Sequence, residues 1–256
     1  MSRNSHKRRL LLVFLVVFAF VALTAVTSAN HSWNGYHWAR QSNPFTVQVG
    51  DNVSGAWDSV LQTTASDWSQ STVLDMAIVA GGSARKNCRP TSGRVEVCND
   101  TYGNNGWLGI AQVWVSGSHI TQGTVKLNDT YFNTPTYNTT AWRNLVSCQE
   151  VGHTLGLDHQ DENFNNANLG TCMDYTNNPG TNQHPNKHDY DQLVSIYSHF
   201  DSTTTLQQLV GRVQDFVHSA PGEWGKLIRH SANGKNSLFE LDLGNGRRVF
   251  TFVIWS

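Results

Sequence analysis

The stretch Cys148-Gln149-Glu150-Val151-Gly152-His153-Thr154-Leu155-Gly156-Leu157-Asp158-His159 decides how this chain is read. Gln149 and His153 are four apart, so a helix places both on one face. Glu150 follows Gln149 and lies beside the same mouth. Gly156 can end that helix in the left-handed region, where other residues meet a steric penalty. The chain then turns back and can bring His159 to the point that His153 reaches. Two imidazoles converging on one point suit zinc. A carboxylate beside them suits a general base.

Working outward, Thr139 or Thr140 caps the helix, which carries Trp142, Leu145 and Val146 forward to about Leu155. Upstream, Phe45, Val47 and Val49 alternate as in a strand, and Trp57, Val60, Leu61, Ala65 and Trp68 recur at helical spacing between Ala56 and Ser69. Further strands are expected over Val73–Val79, Arg94–Cys98, Leu108–Val115 and Gly123–Leu127, with a turn at Ser116–Ser118 between the last two. Downstream, Asn163–Asn186 reads as loop and Asp189–Phe200 as a helix, with Asp189 near its N-cap. Strands first and helices later make an α+β fold, rather than repeated βαβ units. After Asp201 a helical stripe (Leu206, Leu209, Val210, Val213, Phe216 or Val217) precedes a hairpin, Leu238–Leu243 and Val249–Trp255 about Gly244-Asn245-Gly246. This tail of about 55 residues is marginal for folding alone and is expected to pack on the rest.

The first 29 residues read as an export leader: a basic start at Arg3, Lys7, Arg8 and Arg9, an apolar run Leu10–Val26, and the small exit Thr27-Ser28-Ala29. The run is short for a membrane span, so cleavage after Ala29 is expected, and with it a secreted chain with no stable membrane insertion. The whole chain of 256 residues has a formal charge of −1; without the leader, 14 basic residues face 19 acidic ones, a net −5. That balance argues against nucleic acid as a partner.

Four cysteines in an oxidising compartment imply two disulfides. Cys88 and Cys98 are close enough to staple a hairpin, which leaves Cys148 with Cys172; three pairings are formally open. No C-x-x-C spacing points to a cysteine metal site. N-x-[ST] sites occur at Asn30, Asn52, Asn99, Asn128 and Asn138. No G-x-S-x-G elbow supports a serine hydrolase.

The segment Gln149–His159 resembles the signature of the metzincin zinc peptidases, H-E-x-x-H-x-x-G-x-x-H followed by a Met-turn. These include the matrixin, astacin and pappalysin catalytic domains. Glu150, His153, Gly156 and His159 fall in register, and Gly170-Thr171-Cys172-Met173-Asp174-Tyr175 resembles the Met-turn. The resemblance covers roughly residues 45–200. It implies a twisted mixed β-sheet with an active-site helix and a Met-turn, followed by a small helix and hairpin. Residues 1–29 would then be the leader, 30–201 the catalytic domain and 202–256 the extension. It also implies a secreted zinc-dependent endopeptidase acting on peptide or protein substrates. On that resemblance Zn2+ would be held by His153, His159 and provisionally Gln149, with Glu150 as general base toward a metal-activated water and Tyr175 as a further ligand or an oxyanion donor.

The departure is Gln149, where the family has histidine; a neutral amide is a weaker zinc ligand. Either Gln149 ligates through its oxygen, or His184 or His188 completes the site, or the scaffold is catalytically impaired and serves as a secreted protein-binding module. The resemblance further implies that an extended substrate pairs with an edge strand, for which Leu108–Val115 beside Gly123–Leu127 is the candidate rim.

Overall fold

The short strand β1 (His37–Trp38) is followed by β2 (Phe45–Asn52), whose alternating Phe45, Val47 and Val49 all face the core. The computed structural model describes residues 30–206 and 220–256. The leader and the helical stripe beyond Leu206 lie outside the described residues. Helix α1 (Ala56–Trp68) buries its apolar stripe, Trp57, Val60, Leu61, Ala65 and Trp68. Strands β3 (Leu74–Ala80), β4 (Val95–Asp100), β5 (Trp107–Ser116) and β6 (His119–Asn128) come next. Then come a single turn of helix, α2 (Asp129–Phe132), the long α3 (Thr140–Thr154), and α4 (Lys187–Ile196). The chain closes on β7 (Lys226–His230), β8 (Asn236–Gly244) and β9 (Arg247–Trp255).

The expected α+β class holds, with one mixed sheet in the order β3-β2-β4-β6-β5-β9-β8-β7. Its first half is parallel: β2 pairs with β3 and β4, and β4 with β6. From β6 to β7 every neighbour is antiparallel. β1 adds to β6 in parallel, His37 opposite His119. Among the described residues no helix is long and apolar enough to cross a membrane.

Helices α1 and α3 share the core cluster on one face of the sheet. Two polar contacts fix their register: the Trp68 indole donates to the Cys148 carbonyl at 3.2 Å, and the Thr64 and Ser147 hydroxyls meet at 2.8 Å. Thr139 caps α3 by accepting from the Trp142 amide. At the other end, the last carbonyls of a helix have no partner within the helix. Three aromatic donors supply them: Trp33 to His153, Trp38 to Thr154, and the Tyr197 hydroxyl to Leu155. The end of α3 is thereby fixed from outside.

Both disulfides form the pairs Cys88–Cys98 and Cys148–Cys172. The second ties α3 to the residue before Met173. Three of the N-x-[ST] asparagines, Asn52, Asn99 and Asn128, are buried and hydrogen-bonded to Glu96, Asp129 and the Trp107 carbonyl respectively, so the folded chain cannot display glycans there.

Two expectations are corrected. The helix read over 189–200 starts at Lys187, with Asn186 as its cap and Asp189 three residues inside completing a capping box, and it ends at Ile196. The chain stops being helical there because Tyr197, His199 and Asp201 are drawn to β1 and its flank. The second correction concerns β5. It is no free rim: β6 pairs with one side and β9 with the other, Trp107 opposite Trp255 through Ser116 opposite Arg247. The hairpin of the tail forms as read, about the left-handed Asn245 and Gly246.

Candidate metal centre

Helix α3 is buried from Arg143 to Thr154, an unusual place for Arg143, Asn144, Gln149, Glu150 and His153. Buried charged and amide groups need partners, so this helix is committed to more than packing. Its end is a Schellman turn: the Gly156 amide donates to the His153 carbonyl and the Leu157 amide to that of Gly152. Gly156 has φ +93°, and a Cβ there would lie 2.3 Å from the Tyr36 carbonyl oxygen. Only glycine fits, and the turn swings the following chain back over the helix.

That turn brings His159 to His153, with ring centroids 4.6 Å apart. The His153 Nδ1 lies 2.9 Å from the Leu157 carbonyl. A carbonyl only accepts, so the proton is on Nδ1 and Nε2 carries the lone pair. Burial holds both imidazoles below the ordinary histidine value, His153 strongly, where the neighbouring His159 adds to the effect. Both are neutral at pH 7, the form that ligates metals.

Glu150 is fully buried beneath β5, where a Cβ on Gly109 would strike its side chain. No side chain pairs with its carboxylate, and burial pushes its pKa well up against a smaller lowering by the Ala111 backbone. The Gln149 amide nitrogen and the His159 Nε2 are also buried without a partner, while His159 Nδ1 faces the Asp158 carboxylate at 3.4 Å. Each unpaired atom costs about 1–3 kcal/mol. Such atoms on one turn of helix and its return loop are what a site for a non-protein group leaves behind. Two imidazoles are a donor set that suits zinc, and the Gln149 amide would have to turn by half to present its oxygen to it.

Met173 is completely buried under α3. A Cβ on Gly152 would meet its sulfur at 2.6 Å and the Trp68 ring at 2.8 Å, so glycine lets the Met173 segment approach. Tyr175 lies against His159, ring centroids 4.2 Å apart, and burial raises its phenol pKa. The structure therefore sets His159 against both His153 and Tyr175 and places Gln149 and Tyr175 on one cavity, while among the described residues the histidine–carboxylate cluster at His159 is made with Asp158 and Glu162, without His153 or Glu150. Beside Gln149 and Tyr175 opens a cavity of about 180 Å³, walled by Trp142, Leu145, Ile254 and Trp255.

His184 and His188, the alternative ligands, have partners elsewhere. His184 pairs with Asp67 at 2.6 Å, and His188 stacks on His31. Two contributors come from the tail, which local spacing cannot announce. The Phe252 ring stacks on His153, centroids 3.9 Å apart and nearly parallel at 10°. Arg229 grips Asp158, 2.8 Å from Oδ2, and Glu162 at 3.0 Å. Burial pushes the Asp158 carboxyl up, but the neighbouring His159 and Arg229 overcome it and hold Asp158 far below the usual carboxylate range.

Three clusters among the described residues bring histidine and carboxylate ligand atoms within 4.8 Å of one another: Asp158, His159 and Glu162; His31, His188 and Asp189; and His37, His199 and Asp201. The chain thus has a general capacity to hold metal. No protein-family model matches this chain, and no curated protein matches its sequence.

Proposed function

We propose that this chain is an exported zinc-dependent endopeptidase of metzincin type. Residues 1–29 act as a leader, 30–201 carry the catalytic centre and 202–256 extend it. The observation that carries the reading is the buried, unpartnered Gln149 amide nitrogen and His159 Nε2 beside the buried Glu150 carboxylate and the neutral His153.

His153 and His159 hold the metal through ring nitrogens, with the Gln149 amide oxygen as third ligand. Zinc bound there supplies Lewis-acid polarisation of water and of the scissile carbonyl. Glu150 takes a proton from the attacking water and carries it to the leaving amine. Its burial raises its proton affinity, which suits a base that must keep the proton between those transfers. The Tyr175 phenol, kept protonated by burial, donates a hydrogen bond to the developing oxyanion. The cavity beside Gln149 and Tyr175 receives one side chain of the peptide.

The test is cleavage of an unfolded protein by the zinc-loaded mature chain. A chelator should abolish it, and Glu150→Ala should lower it by about 100-fold or more. Full activity in Glu150→Ala would refute the mechanism. Gln149→Ala should retain less zinc; unchanged metal content would remove Gln149 from the ligand set.

A second reading, a catalytically impaired scaffold that binds proteins outside the cell, is favoured by one feature. β9 already occupies the side of β5 along which an extended substrate would pair, and its Phe252 covers His153. That reading expects no chelator-sensitive cleavage by the wild type.

A further inference from the structure

We infer that Arg229, on the last part of the sheet, is a positioning residue of the α3 centre: it occupies the cation position between Asp158 and Glu162 and so fixes the direction in which His159 offers its lone pair. The inference rests on the reading of His153 and His159 as metal ligands. It begins with a bulge. β7 is an edge strand and pairs with β8. Leu227 lies opposite Phe239, but Arg229 lies opposite Leu238, with Ile228 as the extra residue between them. Regular pairing would set Ile228 opposite Leu238, which is buried in the core. Residues directly opposite on antiparallel strands share a face. The bulge therefore puts a guanidinium on the inner face where an aliphatic side chain would pack, and Ile228 is left 40% exposed. Among the residues of β7, Arg229 alone is not exposed. Bulges beside functional sites re-aim one side chain in this way.

The re-aimed guanidinium is used on two sides. Nη1 donates to Asp158 Oδ2 at 2.8 Å, Nη2 donates to Asp158 Oδ1, and Nε lies 3.0 Å from Glu162 Oε1. A bidentate pair fixes the plane of a carboxylate as well as balancing its charge. Held in that plane, Asp158 Oδ1 accepts from the His159 amide at 2.8 Å and stands 3.4 Å from His159 Nδ1. A carboxylate paired with arginine only accepts, so it favours the ring proton on Nδ1. The lone pair is then on Nε2, the buried atom without a partner. His153 has the same tautomer, set by the Leu157 carbonyl. Both rings thus offer Nε2, and a carboxylate behind a ligand histidine is the arrangement that orients the ring and raises its basicity.

The same arginine silences a competitor. Asp158, His159 and Glu162 hold ligand atoms within 4.8 Å of one another. Two unpaired carboxylates there would attract the proton or metal that His159 is to share with His153; a resident guanidinium cancels that attraction. The backbone of the return loop is fixed by other means. Ser32 pairs with Leu157, Asp161 with Asp174, and the Gln160 amide donates to the Met173 carbonyl. Those bonds set the path of the chain and leave the direction of the His159 ring to its side-chain neighbours, Asp158, His153 and Tyr175. Arg229 holds the first of these.

The experiment is long-range proton–nitrogen correlation of the histidine rings in the metal-free mature chain, at a pH where the rings are neutral. It compares wild type, Arg229→Met and Arg229→Lys, with His159 assigned by the signals missing from His159→Gln and folding established by near-UV circular dichroism. Wild type should carry the His159 proton on Nδ1; a proton on Nε2 overturns the inference without any variant. Folded Arg229→Met should lose that single form and, titrated with zinc against a chromophoric chelator, should bind at least about tenfold more weakly. Arg229→Lys keeps the charge without the fork and should fall between the two. An unchanged tautomer and unchanged zinc affinity in Arg229→Met would overturn the inference and leave Arg229 a mere tether of the tail. If wild type binds no zinc but its His159 tautomer shifts in Arg229→Met, the orienting role stands and the peptidase reading fails. If zinc is lost in His153→Ala and kept in Arg229→Met, only the orienting role fails.

Discussion

At the scale of single residues, Gly156 shows how a local letter sets a distant geometry. With φ +93° and no room for a Cβ against Tyr36, Gly156→Ala should destabilise the fold by about 2 kcal/mol or more, read from urea unfolding. That role was legible, because glycine three residues after one histidine and three before another is a local pattern. Arg229 was not, because its partner Asp158 lies 71 positions away and nothing around Arg229 marks it. Lys126 offers a test by pH. It is 3% exposed on β6, and burial pushes its pKa down from 10.5 to about 8. Between those values the unfolded chain holds the proton and the folded chain does not. Stability from this group therefore rises with pH across that window and is flat below it. At roughly 1.4 kcal/mol per unit, the rise is about 3 kcal/mol at most. Subtracting the profile of Lys126→Met isolates it: the variant should gain on wild type at pH 7 and lose that advantage by about pH 10.5.

At the scale of elements, α3 is a buried polar helix held in place by its neighbours. Its period and its Thr139 cap were readable in sequence, and so was its termination at Gly156. The three aromatic donors to its last carbonyls were not, since Trp33, Trp38 and Tyr197 come from segments more than forty positions away on either side. The Cys148–Cys172 bond acts at this scale too. It closes a loop with a sequence separation of 24, which constrains the unfolded chain by about 3 kcal/mol. It also holds Met173 under Gly152. The double variant Cys148→Ser, Cys172→Ser should lose stability of that order in chemical denaturation. The matching pair Cys88→Ser, Cys98→Ser closes a shorter loop, separation 10, and should lose less. Equal losses would show that native packing at the two sites, rather than loop length, sets the cost.

At the scale of the whole molecule, the sheet joins what sequence reading separated into a catalytic part and an extension. The hairpin itself was legible from alternation and its Asn-Gly turn. Its partner was not: Gln112 on β5 meets Thr251 on β9 across 139 positions, and strand pairing at that distance leaves no local trace. β9 buries Val249, Phe250, Phe252, Val253 and Ile254, all 7% exposed or less. At roughly 1.5–3 kcal/mol each, these five contribute on the order of 10 kcal/mol. Net stabilities of domains are about 5–15 kcal/mol, so the burial by one strand is comparable to the whole margin. Its loss would also leave β5 as a long apolar edge, a template for aggregation. A chain ending at Asp201 should therefore fail to fold cooperatively, with no near-UV circular dichroism and fast amide exchange in α3. A chain that ends there and still protects the α3 amides would show that β9 is a detachable cover. The second reading of function would then lose its main support, because a cover that leaves an intact helix behind can open for a peptide.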